Sequence, residues 1–273
     1  MGTKKVATRK SSTIGIKSPI WVILVCAIAA ICFFNFVCGD PARFSEGDRV
    51  NGHPLNGDLL ATVYKGGFIV PILMTCLLTV IVLSVERFIA MWSANGKGNT
   101  TTFVANVKAA LENNDLAAAK KFCAQKKGVV ASVVASALIK YEQVEADDTL
   151  TKEKKVEAIQ KQLEEATALE MPALQQNLPI VATMTTLGTL VGLLGTVMGM
   201  IKSFSALASG DGAADSQALS TGISEALVNT ATGIATGAFA VISYNYYSNK
   251  IDNITYAIDE IGFCIVNAFN KTH

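Results

Sequence analysis

The sequence predicts an all-α polytopic membrane protein with four transmembrane helices. Of its 273 residues, 51% are hydrophobic and only 16% are charged, a composition too apolar for an ordinary soluble domain. Three segments easily reach the roughly 20 mainly apolar residues that cross a bilayer, and a fourth is less obvious because it holds several polar residues. The charged residues are concentrated between these segments, so the spans and the regions that connect them can be separated.

The first predicted span is residues 19–38, which follow a basic N-terminal segment, residues 1–18. Five cationic residues in that segment place it in the cytoplasm by the positive-inside rule; they are Lys4, Lys5, Arg9, Lys10 and Lys17. A cleaved signal peptide is the alternative, but Phe36-Val-Cys-Gly-Asp is a poor cleavage site. A retained anchor is therefore favoured.

Loop charges set the orientation of the next two spans, residues 67–92 and residues 178–204. The region between them, residues 93–177, holds eleven lysines and is predicted to be cytoplasmic. The 39–66 loop holds three cationic residues and the 203–222 loop none. Both of these loops are therefore expected on the periplasmic side.

The cytoplasmic region is expected to be a helical domain. Lys152 to Leu169 alternates charge in the manner of a solvated helix. Pro172 and Pro179 follow, and proline removes a backbone hydrogen bond. We expect one long helix that bends at these prolines as it passes from the cytoplasm into the third span.

The fourth predicted span, residues 223–247, is the least apolar. It follows a predicted periplasmic loop, residues 205–222, and precedes a cytoplasmic C-terminal helix, residues 248–273. Because it contains several polar residues and no proline, we expect it to face protein or water rather than lipid. Aromatic residues mark the expected inner membrane surface; they are Trp92, Tyr244, Tyr246 and Tyr247.

Glu225 is the acidic residue of the last two spans. An ionisable group inside a span costs about 2.5–3.5 kcal/mol, so its presence suggests a function. On a helical wheel it heads a narrow polar stripe, whose other members are Asn229, Thr232, Thr236 and Ser243. With no lysine or arginine partner expected within the span, such an acid can hold a proton and release it when hydrated, as a proton relay requires. The alternative is that the hydroxyls bond to their own helix and Glu225 merely marks the helix end.

Glycines recur in the last two spans at spacings that allow close helix packing. They are Gly188, Gly192, Gly195 and Gly199 in the third span and Gly233 and Gly237 in the fourth. In lipid, small residues let helix backbones approach closely. Together with the polar stripe, they favour a tight oligomer whose last two spans line a central path.

Several other classes of function are disfavoured. Six cysteines without a Cys-x-x-Cys pair and only two histidines provide neither a disulfide framework nor a metal or hydrolase site. No phosphate-binding Gly-x-x-x-x-Gly-Lys motif and no basic face for nucleic acid occur. We therefore expect no enzyme activity, no cofactor, no metal and no nucleic-acid partner.

Three motifs carry a family resemblance. They are Gly192-Leu-Leu-Gly-Thr-Val-Met-Gly-Met, Gly222-Ile-Ser-Glu-Ala-Leu-Val-Asn-Thr-Ala-Thr-Gly and Ser243-Tyr-Asn-Tyr-Tyr. In order and spacing they resemble the MotA/TolQ/ExbB proton-channel family, and ExbB most closely. The resemblance covers roughly residues 100–265 and implies a three-helix core, so the first span is additional and is expected to lie around the outside of a ring.

The resemblance also implies a function and partners. Members of the family form homo-oligomers, usually pentamers, in the inner membrane of Gram-negative bacteria, and these enclose single-span ExbD-like subunits. They use the proton motive force to drive a TonB-like protein that acts on outer-membrane transporters. The family's intramembrane glutamate matches Glu225, and its two pathway threonines match Thr230 and Thr196.

The sequence departs from the family at two positions. Thr189 and Thr221 stand where many relatives have proline. Three alternatives remain open: a TolQ-like subunit of the Tol-Pal envelope system, a MotA-like flagellar stator, and a non-conducting membrane scaffold. The lysine-rich, arginine-free 93–177 loop and the intramembrane glutamate disfavour the flagellar stator.

Overall fold

The structure is a computed structural model that describes residues 18–49, 52, 54–55, 58–209 and 213–272. The basic N-terminal segment, predicted to be cytoplasmic, lies almost wholly outside the described residues. The described residues form helices and no strand, apart from an isolated bridge between Phe44 and Pro54. Four helices are long and apolar enough to cross a membrane, which confirms the predicted fold class and a multi-pass membrane protein.

The helices fall into two compact units. The first, here called the span unit, comprises residues 18–85 and 177–245. It contains α1, α2, most of α3, α8 and the first part of α9, whose full bounds are Pro19–Phe33, Leu59–Tyr64, Ile69–Asn95, Leu178–Ser209 and Ala213–Thr272. A π-helical segment, Phe34–Cys38, extends α1.

Two apolar clusters hold the span unit together. In one, Val22 and Cys26 of α1 pack with residues of α3, α8 and α9, among them Val80, Val181 and Ala240. In the other, the π-helical segment packs beside α2, and the rings of Phe34 and Tyr64 stack at 4.8 Å. The additional N-terminal span therefore packs one face, with Val22, Cys26 and Ala30, against the span unit and leaves its other face exposed.

The second unit, here called the helical unit, comprises described residues 86–176 and 246–272. Its own helices are α4 to α7, with bounds Thr100–Glu112, Leu116–Lys126, Val129–Glu145 and Lys152–Gln175. Asn99 and Asp115 accept hydrogen bonds from the first turns of α4 and α5, and such caps set where helices begin. The ring of Tyr141 packs edge-on to Phe269 at 5.0 Å, which joins α6 to the end of α9.

A buried arginine fixes the entry of α3 into the helical unit. Arg87 is fully buried, pairs with Glu86 at 2.5 Å, and donates to the carbonyl oxygens of Ala173 and Leu174 at 3.2 Å each. Carbonyls in the last turn of a helix lack partners within the helix. Arg87 therefore satisfies the end of α7 while its own charge is neutralised.

Two expectations about helix ends are wrong. The long helix predicted to enter the third span is interrupted, because α7 ends at Gln175 and α8 begins at Leu178. Asn177 lies between them in the left-handed region at φ 63°, a conformation that asparagine tolerates and that stops a helix. Pro179 then occupies the first turn of α8, where its missing N–H costs nothing, and Pro172 lies inside α7.

The predicted loop 205–222 is mostly helical. Helix α8 continues to Ser209 and α9 starts at Ala213, so only residues 210–212 separate them. Both flanks are rich in alanine and leucine, which favour helix. Helix α9 also continues from the fourth span to Thr272 as one 60-residue element.

Candidate functional site

Glu225 is buried in the span unit and paired with a lysine. It is 9% exposed, and its Oε2 accepts a hydrogen bond from Lys202 Nζ at 2.8 Å. The two side chains differ in exposure, with 70% of Lys202 and 11% of Glu225 accessible. The carboxylate thus lies inside the helix packing while its cationic partner extends outward.

This pair corrects the expectation that Glu225 has no lysine or arginine partner. Lys202 lies near the end of α8, 23 residues before Glu225 in the sequence. Because only residues 210–212 separate α8 from α9 in the sequence, residues near the end of α8 and near the start of α9 come together. The sequence signal was present as a lone lysine at the end of an apolar span, and only the register of the two helices shows what it contacts.

A glycine makes room for the carboxylate. Gly67 lies before α3 at φ +78°, and a Cβ atom added there would collide with Glu225 Oε1. A positive φ is also a conformation that side chains disfavour. Gly67 therefore meets two requirements at once, and sequence reasoning did not single it out.

Further charges lie beside this pair. Lys65 precedes Gly67, and its ammonium lies 5.6 Å from the centroid of the Phe44 ring. Burial lowers the pKa of Lys65, the negative charge of Asp48 opposes that shift, and the positive charge of Lys202 adds to it. Lys65 and Lys202 are therefore close enough to affect each other, and an acidic residue lies beside each of them.

Two polar atoms within a turn and a half of Glu225 along α9 lack hydrogen-bond partners among the described residues. They are Asn229 Oδ1 and Thr230 Oγ1, both fully buried as atoms. A buried polar group without a partner is costly, and nearly all such groups in proteins find one. Asn229 Oδ1 can therefore accept a hydrogen bond from water or from a group on another subunit, and Thr230 Oγ1 can accept or donate one.

The remaining predicted pathway threonines bond to their own helices. Thr232 donates to Val228 O and Thr236 to Thr232 O, both at 2.8 Å, while Thr196 donates to Leu193 O at 2.6 Å. This is the local pattern that the alternative interpretation of the stripe described. Among the described residues, no hydrogen bond joins Thr196 to Glu225 or to Thr230.

The region that holds this buried acid matches a known protein family. Residues 125–260 match the sequence profile of the MotA/TolQ/ExbB proton channel family. The chain belongs to this family. The matched region contains α6 to α8 and most of α9, including every candidate site residue on α8 and α9.

Relatives within the family carry two kinds of name. Biopolymer transport protein ExbB-like 3 of Synechocystis is 37% identical over 86 residues, 31% of this chain and 41% of that protein. Tol-Pal system protein TolQ of Haemophilus influenzae is 38% identical over 85 residues, 31% of this chain and 37% of that protein. TolQ of Pseudomonas aeruginosa is 36% identical over 95 residues, 35% of this chain and 41% of that protein. The chain thus spans about two fifths of the length of these relatives.

The family glycines lie between α8 and α9 of the same chain. A Cβ added at Gly192 would be 3.0 Å from Gly233 Cα, and one added at Gly199 would be 2.9 Å from Ala226 Cβ. Gly188 and Gly237 lie against threonines of the opposite helix, Thr236 and Thr189, and Gly195 lies under Asn229. These glycines were expected to pack a tight oligomer, whereas in the structure they lie in contacts within one chain.

Proposed function

We propose that this chain is the channel-forming stator subunit of an ExbB-type motor that uses the proton motive force. The observation that carries the proposal is Glu225, an acid buried in a span of a proton channel family member. Two partnerless polar atoms, Asn229 Oδ1 and Thr230 Oγ1, lie within a turn and a half of it. Glu225 takes and releases the proton, and Thr230 and Asn229 hold the water or partner group that passes it on.

The proposed assembly is a homo-oligomer, a pentamer by resemblance, around ExbD-like single-span subunits in the inner membrane. Its N- and C-termini lie in the cytoplasm. Movement driven by protons passes to a TonB-like protein that energises outer-membrane transporters. Thr196 contributes to the pathway from the partly exposed face of α8, where it meets a neighbouring subunit or the enclosed span.

A TolQ role in the Tol-Pal system is the second candidate, because TolQ proteins of two organisms match this chain as well as an ExbB-like protein does. The two roles share the proton chemistry and differ in the protein that is driven. A deletion strain separates them. Loss of proton-dependent uptake supports the ExbB role, while detergent sensitivity and impaired envelope constriction support the TolQ role.

Glu225→Gln tests the proton relay. The amide keeps the size and the hydrogen-bonding capacity of the side chain but cannot carry a proton, so the complex is expected to assemble and to lose proton-dependent function. Assembly is measured by co-purification of the single-span partner, and proton flux is measured in reconstituted vesicles. Glu164→Gln, the same change at an exposed position of α7, is the matched control and should behave as wild type. Full flux in Glu225→Gln would contradict the relay and favour a non-conducting scaffold.

A further inference from the structure

A cavity of about 400 Å³ lies in the helical unit at the ends of two predicted spans. Its walls come from the end of α3, the start of α4 and the part of α9 that follows Tyr244. The volume falls within the range of roughly 300–1,000 Å³ that small-molecule sites occupy. Nothing in the proposed proton chemistry uses it.

The lining of the cavity favours an anion. Among the described residues that line it none is acidic, and Lys250 is the cationic one. Asparagine and threonine side chains supply further polar groups, and these residues are Asn95, Asn99, Asn253, Thr100 and Thr101. Amides, hydroxyls and an ammonium are the groups that donate hydrogen bonds to phosphate oxygens.

Two of the amides have their donor ends uncommitted. Asn95 Oδ1 accepts from Thr100 Oγ1 at 2.8 Å, and Asn99 Oδ1 accepts from the backbone N–H of Thr101 at 3.0 Å. The oxygen of each amide is thereby fixed. Within the described residues their amide nitrogens donate no hydrogen bond, so both can donate to a ligand.

The other half of the lining is apolar. Phe88, Met91 and Ile254 line the cavity together with Trp92, which is 75% exposed. The ammonium of Lys250 lies 5.6 Å from the centroid of the Tyr246 ring. Tryptophan, tyrosine and lysine at the end of a span are typical of the level where lipid headgroups lie.

We propose that this cavity binds the phosphate-bearing headgroup of an anionic membrane phospholipid. Lys250 and the amides of Asn95 and Asn99 hold the phosphate oxygens. The acyl chains lie along Phe88 and Trp92. A free phosphate ion would use the same donors but would leave the apolar half of the lining unused.

Tryptophan quenching in vesicles tests this assignment on the full chain. The protein contains two tryptophans, so Trp21→Phe leaves Trp92 as the reporter beside the cavity. Phosphatidylglycerol with brominated acyl chains should quench Trp92 at a lower mole fraction than brominated phosphatidylcholine. Lys250→Gln should reduce this preference about fivefold, the effect expected of one lysine beside an anionic lipid.

The controls decide between sources of the anion. Lys271→Gln removes a lysine from the last turn of α9, away from the cavity lining, and should keep the preference; Asn253→Ala offers a second, uncharged change in the lining. Equal quenching by both lipids, or an unchanged preference in both Lys250→Gln and Asn253→Ala, would overturn the proposal. Loss of the preference with sodium phosphate, but not with sodium chloride at equal ionic strength, would assign the cavity to free phosphate instead.

Discussion

The pairing of Glu225 with an exposed lysine shapes what the acid can do. An ion pair with one well-exposed member contributes only about 0–1 kcal/mol to stability, because water screens it. Lys202 is 70% exposed, so holding the fold together is a poor explanation for it. Its ammonium instead occupies one oxygen of the carboxylate that, in the proposed mechanism, receives the proton.

Lys202→Gln is expected to raise the passive proton leak of reconstituted vesicles by up to about fivefold. A proton that binds Glu225 would no longer have to displace the ammonium of Lys202. An ion pair of this kind contributes up to about 1 kcal/mol to stability. A pH-sensitive dye inside the vesicles measures the leak. Lys161→Gln, on an exposed position of α7, is the matched control. An unchanged or slower leak in Lys202→Gln would mean that Lys202 does not compete with the proton.

Single residues differed in how far sequence could identify them. Glu225 could be predicted because a lone acid in a span is costly and its helical stripe is polar. Lys202 and Gly67 could not, because their importance comes from contacts with a residue far away in the sequence. The partnerless state of Asn229 Oδ1 and Thr230 Oγ1 likewise depends on which neighbours α8 supplies.

Helices α8 and α9 pack closely against each other, since glycines of both helices meet there. A Cβ added at Gly233 would be 2.7 Å from Gly188 O and 2.8 Å from Gly192 Cα. Both neighbours are backbone atoms and cannot rotate away. The helices must therefore separate if a side chain enters.

Gly233→Leu is accordingly expected to destabilise the protomer itself and not only its assembly. The measurement is thermal unfolding in detergent, followed by tryptophan fluorescence, together with the yield of folded monomer. Ala235→Leu places the same side chain on an exposed position of α9 and should leave stability nearly unchanged. Normal monomer stability with loss of oligomer in Gly233→Leu would return the glycines to a role between subunits.

Helix existence could be predicted from hydropathy, but helix ends could not. The four spans follow from apolar length, whereas the interruption at Asn177 depends on one residue in a left-handed conformation. The 205–222 segment was expected to be a loop because it lacks cations and lies between spans. Its alanine-rich flanks favour helix, and this local preference decided the structure.

For the whole molecule, large apolar side chains remain exposed on α9 beyond the fourth predicted span. Tyr256 and Phe263 are each 70% exposed and lie seven residues apart, on one face of the helix. Exposed aromatic residues on one face are typical of a surface that another protein covers. In the proposed oligomer, this face contacts the neighbouring subunit.

Phe263→Lys is expected to shift the purified protein toward smaller species, because a charge replaces an aromatic side chain in the contact. Mass photometry or native mass spectrometry in detergent measures the distribution of oligomers. Gln160→Lys introduces the same charge at an exposed position of α7 and serves as the control. If both variants assemble like wild type, another surface of the protein makes the contact.

The length of α9 has a mechanical consequence. Its 60 residues extend about 90 Å at 1.5 Å per residue, about three times the roughly 30 Å thickness of the hydrocarbon core. No proline interrupts it, and it is one helix from Ala213 to Thr272. Glu225 lies near one end of this helix. In the proposed mechanism, a charge that arrives at or leaves Glu225 therefore acts directly on the element that ends at Thr272.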